Sequence, residues 1–156
     1  MSSSEQSKKI RGFIPYIIVG LLFLFVGQVI VGVFTGENSK PGVEWQPYSE
    51  AAIAEALKQN KPIMIYFAAD WCEPCHVLRQ ETFTDADVRA EAERFLRFKV
   101  DLTNPKGEIA KAEEKYYVGG LPMVVFIGSD GNERIRLRLL GFEEAARFRQ
   151  RMKAVQ

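Results

Sequence analysis

Hydrophobic and polar positions divide this chain into two unequal stretches. From Gly12 to Gly36 no residue is charged, and residues 13–34, FIPYIIVGLLFLFVGQVIVGVF, hold one strongly polar side chain, Gln28. At about 1.5 Å per residue, roughly 22 positions reach across a hydrocarbon core of about 30 Å, which predicts a transmembrane helix. A cleavable signal peptide would carry an apolar region of about 7–15 residues and a small-x-small cleavage site. Val33-Phe34-Thr35-Gly36 offers no such site, so the span is expected to remain as an anchor. Lys8, Lys9 and Arg11 precede it, whereas Glu37, Lys40 and Glu44 follow. The positive-inside bias then leaves residues 1–12 in the cytoplasm and everything beyond the span on the outer face of the inner (cytoplasmic) membrane, in a periplasmic or other extracytoplasmic space.

Past the span the pattern changes to short elements. Residues 35–47 contain Gly36, Ser39, Pro41, Gly42 and Pro47 with little periodicity and read as a linker, leaving 48–156 as a domain. Ser49 can cap a helix to about Gln59, with Ile53, Ala56 and Leu57 on one face, and Asn60-Lys61-Pro62 ends it. Ile63 to Phe67 is a short apolar run of the kind buried on both faces of a sheet. Thr84 or Asp85 caps a helix to about Ala92, Phe95 to Val100 reads as a second strand, and a helix from about Gly107 to Tyr117 stops at Gly119-Gly120. Met123 to Ile127 is the next apolar strand. Ser129-Asp130-Gly131-Asn132 is a turn signal, and Arg134, Arg136 and Arg138 alternate with Ile135, Leu137 and Leu139, which predicts a hairpin with a solvated arginine face. Phe142 to Ala154 closes the chain as a helix with Phe142, Ala145, Ala146, Phe148 and Met152 as apolar contacts. The order is β-α-β-α-β-β-α with one helix in front, an α/β domain.

Charge adds little. Beyond residue 36 there are 18 basic against 19 acidic residues, so nothing argues for nucleic acid as a partner.

Chemistry concentrates in one place. The chain has two cysteines, both in Ala69-Asp70-Trp71-Cys72-Glu73-Pro74-Cys75-His76. Such a pair is a redox couple, part of a metal site, or a haem attachment point. A strand that feeds a helix through this loop puts Cys72 at the helix N-terminus, where unpaired N–H groups and the helix dipole favour a thiolate. Cys72 is then the nucleophile, and Cys75, about one turn further in, is placed to resolve a mixed disulfide. Pro74 suits a first-turn position, where its missing N–H costs nothing. Cys72-x-x-Cys75-His76 also matches the c-type haem pattern. Haem attachment would not require Trp71, the buried strand, or Gly120-Leu121-Pro122, and His76 is the chain's only histidine. A closed zinc site needs four ligands, which one pair and one histidine do not supply.

Several motifs in order carry a resemblance: Lys61-Pro62 before the strand, Ala69-Asp70-Trp71-Cys72-x-x-Cys75, Glu81-Thr82-Phe83 with Asp85 and Val88, Gly120-Leu121-Pro122, and Gly141-Phe142. From about Trp45 to Met152 the chain resembles thioredoxin-fold domains. In particular it resembles the C-terminal periplasmic domain of the membrane thiol:disulfide interchange protein DsbD and related membrane-anchored thioredoxin-like proteins. The resemblance implies a thioredoxin fold, a central mixed sheet flanked by helices, with Cys72 and Cys75 as a redox-active disulfide. It implies that Pro122 has a cis peptide bond facing the pair, that Leu121 and Pro122 bind an extended substrate strand, and that Trp71, Glu73 and Pro74 shape the active-site surface. It implies a thiol:disulfide oxidoreductase with no cofactor and no metal. Such an enzyme would act as a reductant on disulfides of extracytoplasmic proteins, recharged by a separate DsbD- or CcdA-type membrane donor, because one span and two cysteines cannot carry electrons across a bilayer. An oxidase or isomerase on the same fold, or a redox-inert binding module, are the other readings. Two positions depart from the family: Tyr66 and Arg79 stand where it places acids. Proton transfer would then fall to Glu73, His76 or Asp70.

Overall fold

The structure, a computed structural model, describes residues 41–156. The membrane-span expectation at 13–34 lies outside these residues. Among the described residues no helix is long and apolar enough to cross a membrane.

Five strands form one mixed sheet in the order β1-β3-β2-β4-β5: β1 (Gln46–Pro47), β2 (Ile63–Ala68), β3 (Leu96–Asp101), β4 (Met123–Ile127) and β5 (Leu139–Leu140). β1, β3 and β2 run parallel, and β4 and β5 are antiparallel additions. Five helices accompany them: α1 (Glu50–Leu57), α2 (Glu73–Val77), α3 (Ala86–Ala92), α4 (Glu108–Lys115) and α5 (Ala145–Lys153). All six residues of β2 and all five of β4 are buried, which is why both read as unbroken apolar runs. Alternation along the strands divides the core between two faces. Phe67 packs on Tyr116 at the end of α4, while Phe126 packs on Phe95 and on Phe148 of α5.

The helix starts follow local chemistry. Ser49 accepts a hydrogen bond from the Ala52 N–H, and the Asp85 carboxylate accepts from the N–H groups of Asp87 and Val88. α2 continues into a π-helical turn, Leu78–Thr82, in which the Phe83 N–H bonds to the Leu78 carbonyl. The wider turn brings Leu78, Thr82 and Phe83 to one face, and all three are fully buried. The Thr82 hydroxyl donates to the Glu143 carbonyl at 2.6 Å, fastening this turn to the segment before α5.

Three expectations need correction. The turn at Asp130-Gly131 forms, with Gly131 at φ 77° and a bridge from Ile127 to Glu133, yet the arginine segment is not a strand. Ile135–Leu137 is a 3-10 turn and pairing resumes only at β5, because hydrogen bonds donated by the arginines take the place of a ladder. The Arg134 guanidinium donates to the Asn132 and Gln156 carbonyls, and Arg138 pairs with Glu133 and donates to the Tyr116 carbonyl. Ile135 is consequently 68% exposed. Leu57 and Phe142 are likewise exposed rather than core contacts. Finally, residues 43–47, read as linker, belong to the folded unit: Val43 is buried, Trp45 packs on Tyr66 and Phe83, and β1 pairs with β3.

Candidate active site

β2 ends against the start of β4, with Phe67 paired to Met123. The chain therefore leaves β2 through Ala69-Asp70-Trp71 beside Leu121-Pro122, at one end of the sheet. The end of β3 fixes this exit: the Leu102 N–H bonds to the Ala68 carbonyl at 2.7 Å, and the Asp70 N–H donates to Thr103 Oγ1 at 2.9 Å. Thr103 in turn donates through its hydroxyl and its N–H to Asp101, holding that carboxyl below its ordinary range. Lys99 bonds to the second Asp101 oxygen at 3.2 Å.

Cys72 is the N-cap of α2, with Glu73 and Pro74 in the first turn. It forms a disulfide with Cys75, with the sulfurs 2.04 Å apart. Cys72 Sγ also accepts a hydrogen bond from the Cys75 N–H at 3.2 Å, so a backbone donor already points at the sulfur that would carry charge on reduction. Cys72 is only 4% exposed and Cys75 3%, whereas the neighbouring Trp71 is 69% exposed. The Leu121–Pro122 peptide bond is cis. Pro122 is buried, Leu121 half-buried, and the Pro122 carbonyl accepts from the Gly141 N–H at 2.8 Å.

Beside Cys75 lies a cavity of about 100 Å³ whose polar border is Tyr66, Asp70, His76, Arg79 and Lys99, with Val43, Trp45, Ala68 and Ala69 as its apolar wall. The Tyr66 hydroxyl is buried and donates to the Cys75 carbonyl at 3.3 Å; burial pushes its pKa up to about 12, with the Arg79 charge acting the other way. Arg79 Nη2 lies 2.7 Å from His76 Nδ1, and His76 Nε2 lies 2.8 Å from the Asp70 carbonyl. A guanidinium can only donate, so in this arrangement Nδ1 accepts and Nε2 donates, which fixes one tautomer of the His76 ring. Of the three proton-transfer candidates, His76 and Asp70 border the cavity. Glu73 is exposed in the first turn of α2 and is not among the cavity's lining residues. Sequence reasoning named Tyr66 and Arg79 only as departures; the cavity that joins them to Cys75 has no signature in the sequence.

Residues 44–129 match the family described as thioredoxin-like. The chain belongs to the thioredoxin-like family. Among curated proteins it is 34% identical over 123 residues to the thiol:disulfide interchange protein DsbD of Yersinia pestis, covering 76% of this chain and 20% of that one. It is 33% identical over 137 residues to DsbD 1 of Pseudomonas aeruginosa, covering 82% and 22%. The chain thus spans about a fifth of the length of these relatives. Among solved structures, the oxidised C-terminal domain of Neisseria meningitidis DsbD aligns with a TM-score of 0.59 at 32% identity, covering 69% of this chain and 92% of that one. A Thermus thermophilus thioredoxin aligns with a TM-score of 0.61 at 26% identity, over 72% and 86%. The folded unit is a thioredoxin-fold domain that carries the Cys72–Cys75 disulfide and is similar to the C-terminal domain of DsbD.

Proposed function

We propose that this thioredoxin-like protein reduces disulfides of extracytoplasmic partner proteins from a membrane anchor at residues 13–34. The observation that carries the chemistry is the Cys75 N–H donated to Cys72 Sγ at the start of α2. In the reduced state that donor favours a Cys72 thiolate, which attacks a client disulfide, forms the Cys72–client bond and releases one client thiolate. Cys75 then loses its proton and attacks Cys72 Sγ, closing the Cys72–Cys75 disulfide and releasing the second client thiolate. Two electrons pass to the client, and a dithiol donor must return them. A separate membrane protein of the DsbD or CcdA kind suits that role, because this chain has no further cysteines. Trp71, Glu73, Pro74, Leu121 and Pro122 form the client-facing surface, and the Cys75 proton leaves through the cavity that Asp70 and His76 border.

Reductive direction rests on the likeness of Glu73-Pro74 to the Gly-Pro loop of reducing thioredoxins, and the anchor on the uncharged run from Gly12 to Gly36 with its preceding lysines and arginine. Measuring the Cys72–Cys75 potential tests direction. A value near about −270 mV is expected, and one near about −120 mV, that of a strong oxidant, would overturn the reductase reading. Cys72→Ser should abolish reduction of insulin disulfides. In intact cells, a membrane-impermeant thiol reagent should label the reduced pair; protection until the membrane is opened would reverse the assigned topology.

A further inference from the structure

Cys75 must become a thiolate to resolve the mixed disulfide, yet among the described residues no acceptor on its cavity is both unengaged and shielded from solvent. From its own helix, the Nδ1 lone pair of His76 is taken by Arg79 and its Nε2 already carries a proton bonded to the Asp70 carbonyl. From β2, Tyr66 is a buried phenol and so a donor at neutral pH. From β3, Lys99 is a cation whose partner, Asp101, is engaged with Thr103. Asp70 borders the cavity from the loop but is exposed, Glu73 is exposed in the first turn, and β4 contributes no titratable residue there. Beside the apolar Val43, Trp45, Ala68 and Ala69, the lining holds two cations, Arg79 and Lys99, and the donor Tyr66.

We propose that Tyr66, assisted by Arg79, stabilises the Cys75 thiolate by donating a hydrogen bond to it, in place of any residue that takes its proton. The Tyr66 hydroxyl now donates to the Cys75 carbonyl at 3.3 Å, a long contact to an oxygen that also accepts the Leu78 N–H of the helix. That contact can be surrendered with little loss, because the carbonyl stays bonded. A phenol in the same cavity as Cys75 can re-aim its proton at the sulfur when charge develops there, and hydrogen bonds to an ionised acceptor are roughly twice as strong as neutral ones. The Arg79 charge favours the same state. In the step itself the Cys75 proton passes to water, for which about 100 Å³ is room enough, and leaves to solvent while Tyr66 keeps its own proton. The thiolate then attacks Cys72 Sγ as above. Tyr66 is thus a further catalytic residue and Arg79 a positioning residue whose charge acts from the cavity's edge.

The inference rests on the proposed exchange reaction, but its test does not require turnover. In a Cys72→Ser background Cys75 is the one remaining thiol, and the carbon-13 resonance of its Cβ reports its ionisation against pH. Tyr66→Phe keeps the ring and its packing, and should raise the Cys75 midpoint by roughly 0.5–1 pH unit, a threefold to tenfold loss of thiolate near neutrality. Arg79→Gln should move it the same way by less, and Arg79→Lys should restore it. A midpoint in Tyr66→Phe that is unchanged or lower, with the fold intact by circular dichroism, overturns the proposal; an Arg79→Gln profile that superimposes on its parent overturns the assistance of the charge. Failure of the wild-type dithiol to reduce insulin would sink the functional reading instead, and leaves this titration standing.

Discussion

Phe83→Leu isolates the packing that supports the active-site end of the sheet. The Phe83 ring is fully buried and meets Tyr66 edge-on at a centroid distance of 5.0 Å, with Trp45 at 5.2 Å and Phe148 at 5.5 Å. Truncation of a buried Phe to Ala costs about 3–5 kcal/mol, and leucine keeps roughly half of that burial, leaving a loss of about 1.5–2.5 kcal/mol. Loss of the aromatic pairings adds about 0.5–1.5 kcal/mol. The total is about 2–4 kcal/mol. With an unfolding entropy of about 2.1 cal/mol/K per residue over the roughly 115 folded residues, near 0.24 kcal/mol/K, the melting temperature should fall by about 8–17 °C. Thermal and urea unfolding of the wild-type and variant proteins measures this directly. Phe142→Leu is the internal control: Phe142 is 42% exposed, and its replacement should change stability by less than about 0.5 kcal/mol. A Phe83→Leu loss below about 1 kcal/mol, or one equal to that of Phe142→Leu, would refute the reading that this ring supports the active-site end of the sheet.

Thr103→Val removes the acceptor of the Asp70 N–H and the hydroxyl bonded to Asp101. It should cost about 1 kcal/mol in urea unfolding and let the Asp101 carboxyl titrate closer to its ordinary range by NMR; an unmoved Asp101 would contradict the hydrogen bond as the cause. Gly128→Ala would drive a Cβ into the Arg134 guanidinium and the Gln156 backbone oxygen, so unfolding should show a loss of about 1–3 kcal/mol, and a neutral result would remove that close approach. On the acid side, Glu50 is held below its usual range first by the Tyr48 hydroxyl and then by Lys115, and Asp101 by Thr103. Both native pKa values lie under the unfolded ones, so their contribution is whole above about pH 5 and fades as pH falls through the native values. Denaturation midpoints should decline from about pH 5 toward pH 2, and the Glu50→Gln, Asp101→Asn double variant should show a shallower decline; an unchanged slope would place the acid sensitivity elsewhere.

The fold was legible where one periodicity dominated. β2 and β4 are continuous apolar runs because both faces are covered, and the capping residues Ser49 and Asp85 begin helices where their side chains can reach the free N–H groups. It was illegible where long-range hydrogen bonds decide the outcome. The alternation from Arg134 to Leu139 has the period of a strand, but the partners that bend it into a 3-10 turn, Glu133, Tyr116 and the Gln156 carbonyl, are remote or carry no pattern of their own. The two-residue strand β1 is too short for any periodicity, and its existence follows from Trp45 finding Tyr66 and Phe83. At the site, the motif located both cysteines, and Pro122 was reached through the family resemblance. The π turn that buries Thr82, and the hydrogen bonds that occupy both nitrogens of His76, depend on spatial neighbours that no spacing announces.

The two departures from the family pattern, Tyr66 and Arg79, are best understood together because they border one small cavity. A carboxylate at position 66 beside the Arg79 charge would be held ionised and would therefore be a poor place for a proton to go at the start of the reaction but a poor neighbour for a thiolate afterwards. A phenol has neither difficulty, since it stays neutral and presents a proton rather than a charge. Arg79, in turn, would be wasted on a buried carboxylate but is free here to bond His76, and that bond fixes the tautomer whose Nε2 proton secures the Asp70 carbonyl. The same arginine thus favours negative charge at Cys75 and helps hold the loop that carries Trp71 and Cys72. The cavity beside Cys75 thus brings together a phenol, a guanidinium and an ammonium, in keeping with stabilisation of charge on the sulfur rather than uptake of its proton.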